Sequence, residues 1–386
     1  MKPAWMEEPA VRRLIGALAI GGIGVRFVGG CVRDTLLGRR IGDIDLAVDK
    51  PPETVMRALQ SANVKVVPTG LKFGTVTAVV DKRPFELTTL RRDVETDGRR
   101  AVVAFTDDWQ GDASRRDFTF NALYLDPGGT LYDWFDGQAD LAAGRVRFIG
   151  DPDQRIAEDR LRILRFFRFH AWFGRPPMDG PAIVACRRNA ASVSGLSAER
   201  VAKELLRLLA APAPADALDA MADAGALDHW LPEYVGSERL RRLVEREDQA
   251  DPLRRLAAIV SSAAVARRLK LSTQDSLRLE MMLDPDCAVH GGQSFRAQCY
   301  RLGTTVFVDR VLLDAPAGWR EALELARRWT PPELPINGAD ALKLGLRPGP
   351  KVGALLEAVE RWWIEGDFSA DRAACLAELE RLAARA

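Results

Sequence analysis

Asp43 and Asp45 stand one residue apart, with Ile44 between them and Leu46 after them. On a β-strand alternate side chains share a face, so this spacing projects both carboxylates together and turns Ile44 and Leu46 into a core. Two adjacent carboxylates repel unless a cation lies between them. Magnesium suits such a pair, because it takes hard oxygen ligands and keeps positions open for water and phosphate. An acidic turn after a short helix would show the same spacing, and the residues upstream separate the two readings. Gly29-Gly30 closes a strand-like run at residues 25–28, and Arg33-Asp34 follows in a helix start. Backbone without Cβ lets a phosphate approach closely, and the N–H groups that open a helix attract anions. The order is a phosphate cradle followed by a metal clamp, with Cys31 packed in the turn as a small residue.

Further charged segments fit a nucleotide. Glu86 lies in a strand-like run at residues 85–90 and is either a third acidic catalytic group or a carboxylate at the rim. Residues 91–112 are polar and without period, which reads as a mobile loop bordering the site. Arg115 and Arg116 bring positive charge towards a triphosphate, and Asp117 and Asn121, four apart, share a face if this segment is helical. A capped helix with a salt-bridged surface is the competing account. In residues 158–169, Asp159 and Arg162 are three apart, so one helical face would offer a carboxylate acceptor and a guanidinium donor to the edge of one base. Cytosine and adenine share an amino donor beside a ring-nitrogen acceptor, whereas uracil and guanine present the opposite order. The pair would therefore accept C and A without a template; its alternative is an intrahelical salt bridge worth a few tenths of a kcal/mol. Arg165 and Arg168 follow in the same segment and join the nucleotide-binding set.

The elements that must hold these groups are legible as pattern. Strand-like runs at residues 25–28, 44–48, 64–67, 75–80, 85–90 and 122–125, mixed with short helices, make residues 1–148 a mixed α/β domain. Asp151-Pro152 then opens a long helical pattern, and the rest is rich in Ala, Leu, Arg and Glu at helical period. Pro and Gly punctuation divides it, and the turn at residues 211–214 marks a break between a segment 149–212 and a helical remainder 213–386. At 386 residues and 47% hydrophobic content the chain supports two or three domains. Net charge is +1, so nucleic-acid contact must come from local basic patches.

Composition also excludes. Five cysteines show no CxxC pairing, which argues against structural zinc and a disulfide framework and fits a reducing cytosol. No apolar run is long enough for a membrane span, so a cytoplasmic protein without membrane contact is expected. The three histidines, His170, His229 and His290, lie in unrelated contexts, and no serine nucleophile elbow is present. Nothing calls for an obligate protein partner.

The run from Gly29-Gly30 through Asp43 and Asp45 resembles the opening of the polymerase-β-like nucleotidyltransferases, specifically the class II tRNA nucleotidyltransferase and bacterial poly(A) polymerase family. Residues 69–77 and 85–93 resemble that family's central strands, residues 112–124 its second signature, and residues 158–169 its Glu-Asp-x-x-Arg motif. Residues 195–205, with Ser197 as a helix cap and Glu199-Arg200 near the preceding helix, resemble its neck, and residues 336–353 its carboxyl-terminal region. The resemblance implies an α+β fold: a nucleotidyltransferase head of mixed sheet and helices, then an all-α neck, body and tail. It implies catalytic metals on Asp43 and Asp45, base choice by Asp159 and Arg162, and a loop within 91–112 that helps the pocket change from CTP to ATP. The function implied is addition or repair of the 3′-terminal CCA of tRNA from CTP and ATP with Mg2+; poly(A) synthesis or A-only addition is the alternative. A non-catalytic RNA-binding protein is opposed by the intact aspartate pair. Candidate tRNA phosphate contacts are Arg239, Arg241, Arg242, Arg254, Arg255, Arg267, Arg268, Lys270 and Lys351.

Overall fold

The structure is a computed structural model and describes residues 1–96 and 101–385. It forms two compact units, Met1–Ser237 with Arg268–Lys270, and Glu238–Arg267 with Leu271–Ala386. The turn expected as a break near residue 211 lies inside the first unit.

The first unit runs α1 (Pro9–Ile20), β1 (Val25–Val28), α2 (Gly30–Leu36), β2 (Asp45–Val48), α3 (Pro52–Ser61), β3 (Lys65–Gly70), β4 (Thr75–Val80) and β5 (Arg83–Thr89). It continues with β6 (Arg91–Thr96), β7 (Ala101–Phe105), α4 (Trp109–Ser114), β8 (Tyr124–Leu125), β9 (Leu131–Tyr132) and α5 (Gly137–Ala143). Helices α6 (Pro152–Glu158), α7 (Leu161–Phe173), α8 (Gly180–Asn189), α9 (Ala198–Leu209) and α10 (Ala215–Asp223) follow. Seven strands make one mixed sheet in the order β3-β4-β5-β2-β1-β8-β9, parallel at β2–β5 and antiparallel elsewhere. Leu14 and Leu18 of α1 and Val55 and Leu59 of α3 pack with Phe27, Leu46, Val76 and Leu87 in one apolar core. That burial is the main force that fixes the sheet's register, since a one-residue slip would turn these side chains to solvent.

Two expectations need correction. Residues 91–112 are not a plain loop, because β6 and β7 pair antiparallel and α4 follows them. Strand β6 is charged and β7 is an unbroken apolar run, so neither shows period-two alternation; residues 97–100, the centre of that expected loop, lie outside the described residues. The long helix expected from Asp151-Pro152 is also broken. Asp151 caps α6 by accepting from the Gln154 N–H at 2.8 Å, but Asp159 leaves the helix in extended conformation, φ −149° and ψ 106°, before α7 begins.

In the second unit the regular elements among the described residues are helices, from Glu238–Val244 to Arg372–Ala383. Two apolar clusters hold it, one around Phe307, Val311 and Ala322, the other around Ile336, Val359 and Trp363. A buried ionic cluster adds to them: Glu247 accepts from Arg254 at 2.8 Å and Arg255 at 2.5 Å, and Asp309 accepts from Arg278 at 2.7 Å. Arg254 and Arg255 are thereby removed from the candidate phosphate contacts, being buried and engaged inside the unit. Among the described residues no helix is long and apolar enough to cross a membrane.

Candidate active site

The diglycine turn joins β1 to α2. Gly29 has φ 71° and ψ −121°, a backbone conformation that side chains with a Cβ rarely adopt. Gly30 has no such demand; a Cβ there would only touch the Arg33 Nη2 at 3.8 Å. Its value is the open space it leaves.

Asp45 begins β2 and Asp43 precedes the strand by two residues, yet the burial alternation holds across both: Ile44 and Leu46 are buried, Asp43 and Asp45 exposed. The parallel pairing of β2 with β5 places Asp45 directly across from Glu86. The surrounding protein disfavours charge on Asp45, Glu86 and Asp43 repel it further, and Arg116 offsets only part of this, so its pKa rises to about 6. A divalent cation fits this set, because hard oxygen donors of like charge are what it would neutralise. Among the described residues no three acidic, histidine or cysteine side chains are arranged to hold a metal unaided. Such an arrangement is normal for a cation that completes its shell with substrate phosphate and water.

The residues from α4 onward do not form the single helix that would put Asp117 and Asn121 on one face. Helix α4 stops at Ser114, and Thr119–Asn121 is a 3-10 turn. The two side chains meet nonetheless: the Asn121 Nδ2 donates to the Asp117 Oδ1 at 3.0 Å, and the Arg33 Nη1 donates to the Asn121 Oδ1 at 2.8 Å. The Arg165 Nε donates to the Asp117 Oδ2 at 2.7 Å. Four residues singled out separately in the sequence, Arg33, Asn121, Asp117 and Arg165, thus form one hydrogen-bonded chain. Burial alone would raise the Asp117 pKa; Arg165 and the hydrogen bonds from Asn121 and the Phe118 N–H outweigh it and hold the carboxyl below its ordinary value.

Arg115 and Arg116 converge on Asp112. Its Oδ1 accepts from Arg115 Nε at 2.9 Å and Nη2 at 2.6 Å, and its Oδ2 from Arg116 at 3.3 Å and the Tyr124 hydroxyl at 2.6 Å. Burial pushes the Asp112 pKa up, but Arg116, Arg115 and Tyr124 win and bring it down to about 2. Arg116 also bonds the Tyr124 oxygen through Nε at 2.9 Å, which points it at Gly29, where an added Cβ would lie 3.8 Å from its Nη1. Sequence reasoning gave Asp112 no role, although its spacing of three and four to the two arginines was a signal. Tyr124 offered none.

Asp159 and Arg162 do not form a pair on one helical face. Asp159, in the break between α6 and α7, accepts from the Arg200 Nη2 at 3.0 and 2.8 Å. Arg162, in the first turns of α7, donates through Nη1 to Glu158 at 2.6 Å and the Arg155 carbonyl at 2.9 Å, and through Nη2 to the Arg115 carbonyl at 3.0 Å. The second signature is therefore tied to the third through main chain. Arg168 lies deeper in α7, with its Nε 2.8 Å from the Glu204 carboxylate but too bent for a hydrogen bond. Ser197 sits at the start of α9 as expected, though its hydroxyl makes no capping bond. The functional content of that segment is Arg200 and Glu204, which reach back to Asp159 and Arg168.

Residues 25–147 match the family described as poly A polymerase head domain, and residues 182–236 the one described as a probable RNA and SrmB-binding site of polymerase A. The mitochondrial CCA tRNA nucleotidyltransferase 1 of Danio rerio is 34% identical over 377 residues, covering 92% of this chain and 87% of that protein. The CCA-adding enzyme of Geobacillus stearothermophilus is 32% identical over 400 residues, 96% of each chain. The crystal structure of the Bacillus stearothermophilus CCA-adding enzyme in complex with CTP superposes with a TM-score of 0.81 at 29% identity, covering 100% of this chain and 99% of that one. Likeness over such length extends past the head to the helical half, and the chain belongs to the CCA-adding tRNA nucleotidyltransferase family.

Proposed function

We propose that this protein adds or repairs the 3′-terminal CCA of tRNA, using CTP and ATP and no nucleic-acid template. The observation that carries the reading is the register of Asp45 against Glu86, with Asp43 beside them and the diglycine turn one strand away. Family membership brings a divalent metal with it; we take it to be magnesium, held by Asp43 and Asp45. When bound, it would make the RNA 3′-hydroxyl a better nucleophile and neutralise charge on the triphosphate. Glu86 stands where it raises the local negative charge, as a third acidic group. Gly29 and Gly30 leave backbone open to the triphosphate, and Arg116, held by Asp112 and Tyr124, faces the same turn. Arg33, Asn121, Asp117 and Arg165 hold one another in place, so the surface they form is fixed before a nucleotide arrives.

Base choice falls to Asp159 and Arg162. The bonds Arg162 makes use both Nη1 protons and one on Nη2, leaving Nε–H and a second Nη2–H to meet a ring nitrogen of cytosine or adenine. Asp159 is held by an exposed arginine, so either oxygen can accept from the base's amino group. We assign the head to residues 1–148, the base-reading neck to 149–212 and contact with the tRNA acceptor arm to the helices of 213–386. Five free cysteines suit a reducing compartment, the cytoplasm.

The test is one extension experiment on tRNAs ending before the CCA, after its first C and after its second C, with each nucleotide supplied singly. The expected additions are two C from CTP, one C from CTP and one A from ATP respectively. Runs of A on every end, or no extension, would overturn the reading.

A further inference from the structure

Arg33 also faces a second space. Helix α2 with the segment after it, the C-terminal half of α7 and the end of α9 line an open cavity of about 320 Å3, small for a ligand-sized cleft. Five arginines line it, Arg33, Arg39, Arg40, Arg168 and Arg207, against one acid, Asp34. Asp34 is already engaged by Arg33 at 3.0 Å. Arg39, Arg40 and Arg207 have no carboxylate partner among the described residues. The arginines also oppose one another: burial lowers the Arg33 pKa and Arg39 lowers it further, and Arg168, depressed first by burial and then by Arg165 and Arg207 against the pull of Glu204, falls to about 10. An anion in this space would relieve both.

Aromatic walls define the anion's company. The Phe173 ring carries the guanidiniums of Arg33 at 4.4 Å and Arg39 at 4.6 Å, and the Trp172 indole N–H donates to the Arg207 carbonyl at 2.8 Å, which fixes that ring in the lining. Flat cationic and aromatic groups beside unneutralised arginines are how proteins hold single-stranded nucleic acid, by stacking bases and pairing phosphates. A metal-bound triphosphate is a poorer fit, because it brings its own cation and the lining offers no free carboxylate for it.

We propose that this cavity holds a backbone phosphate and stacked base of the single-stranded RNA just upstream of the reacting 3′ end. The proposal rests on the function given above and adds a site for the primer strand, with Arg33 shared between primer and nucleotide. The test uses the full-length double variant Arg40→Ala/Arg207→Ala, since both side chains are exposed and their loss spares the fold. Its KM for tRNA ending in CC should rise roughly tenfold with KM for ATP unchanged, and binding of a short single-stranded RNA ending in CC should weaken and lose about one to two units of salt slope. A rise in KM for ATP with RNA binding intact would assign the cavity to the nucleotide and overturn the proposal, as would no change in either. Wild-type protein that binds the short RNA but incorporates nothing would sink the proposed function instead, and leave this comparison of RNA affinities standing.

Discussion

Two groups of carboxylates in the first unit are treated in opposite ways. Asp112 is held by two guanidiniums and a hydroxyl, Asp117 by one guanidinium and two N–H donors, and these partners keep both carboxyls below their ordinary pKa despite burial. Asp45 faces Glu86 and Asp43 with only Arg116 to offset them, and its pKa climbs to about 6. The first group is satisfied by protein alone and shapes the site. The second is left in a conflict that protein does not resolve, and such unresolved charge is where a cation and substrate belong. Asp159 stands between the two, paired with Arg200 in a contact that remains open to solvent.

The largest expected effect comes from emptying the unresolved group. Asp45→Ala should lower nucleotide incorporation on the order of 10^3-fold or more, the scale of several kcal/mol of transition-state stabilisation, while tRNA binding persists. Near-normal turnover of this variant or of Asp43→Ala in magnesium would remove the distinction between the groups. Glu86→Gln then decides whether the third carboxylate is catalytic or belongs to the rim.

Next in size is the satisfied group. Asp112→Asn leaves the partly buried Arg115 and Arg116 beside a neutral amide, and the cost should be about 3 kcal/mol of unfolding free energy, read as a lower urea midpoint at unchanged slope. The pH dependence has a definite sign. Since the folded pKa of Asp112 lies near 2, below the ordinary 3.8, its contribution is fully present above about pH 4 and is lost as pH falls towards 2. The stability gap between wild type and variant should therefore shrink by about 2 kcal/mol across that window. A gap constant down to pH 2 would mean that Asp112 is no better satisfied than an exposed carboxylate.

Sequence made the second group easier to find than the first. Asp43 and Asp45 sit on one strand end, so local alternation exposes them, and strands β1 and β4 fall on the expected residues because each is bounded by glycine or a polar turn. Satisfied carboxylates combine local partners, three and four residues away, with others much farther along the chain. Asp117 finds Arg165, and Asp112 finds Tyr124, only after the sheet and α7 have packed. The break at Asp159 was hidden for a related reason: residues 151–169 keep a helical period on both sides, and the Asp159 carboxylate accepts both from the Leu161 N–H at 3.1 Å, two residues on, and from Arg200, forty-one residues on. The hairpin β6–β7 pairs outside the main sheet and left no periodic trace.

A smaller effect is expected where charge is half satisfied. Arg162→Ala removes the two spare donors of its guanidinium and should cost about 1 to 3 kcal/mol of discrimination, seen as a lower ratio of CTP to UTP incorporation on a tRNA lacking its CCA. Asp159→Ala should act alike, with folding checked in both. Selectivity unchanged in two active variants would move these residues into the satisfied group.

The smallest effect separates holding a base from holding the residue that reads it. Arg200 touches Asp159 from α9, and the two side chains are 41% and 32% exposed, so the ion pair itself is worth about 0 to 1 kcal/mol. Arg200→Ala should leave stability and tRNA affinity unchanged. Asp159 would then sample more orientations, and the CTP to UTP ratio should fall by no more than about fivefold, the equivalent of that energy. KM for CTP should carry the change while kcat stays level, because the carboxylates proposed to hold the metal are Asp43 and Asp45, and Arg200 bonds neither of them. Arg200→Lys keeps the charge but loses the two-oxygen grip, so it should recover part of the ratio. If Arg200→Ala instead matches Asp159→Ala in full, Arg200 itself reads the base and the half-satisfied pair is a single recognition unit.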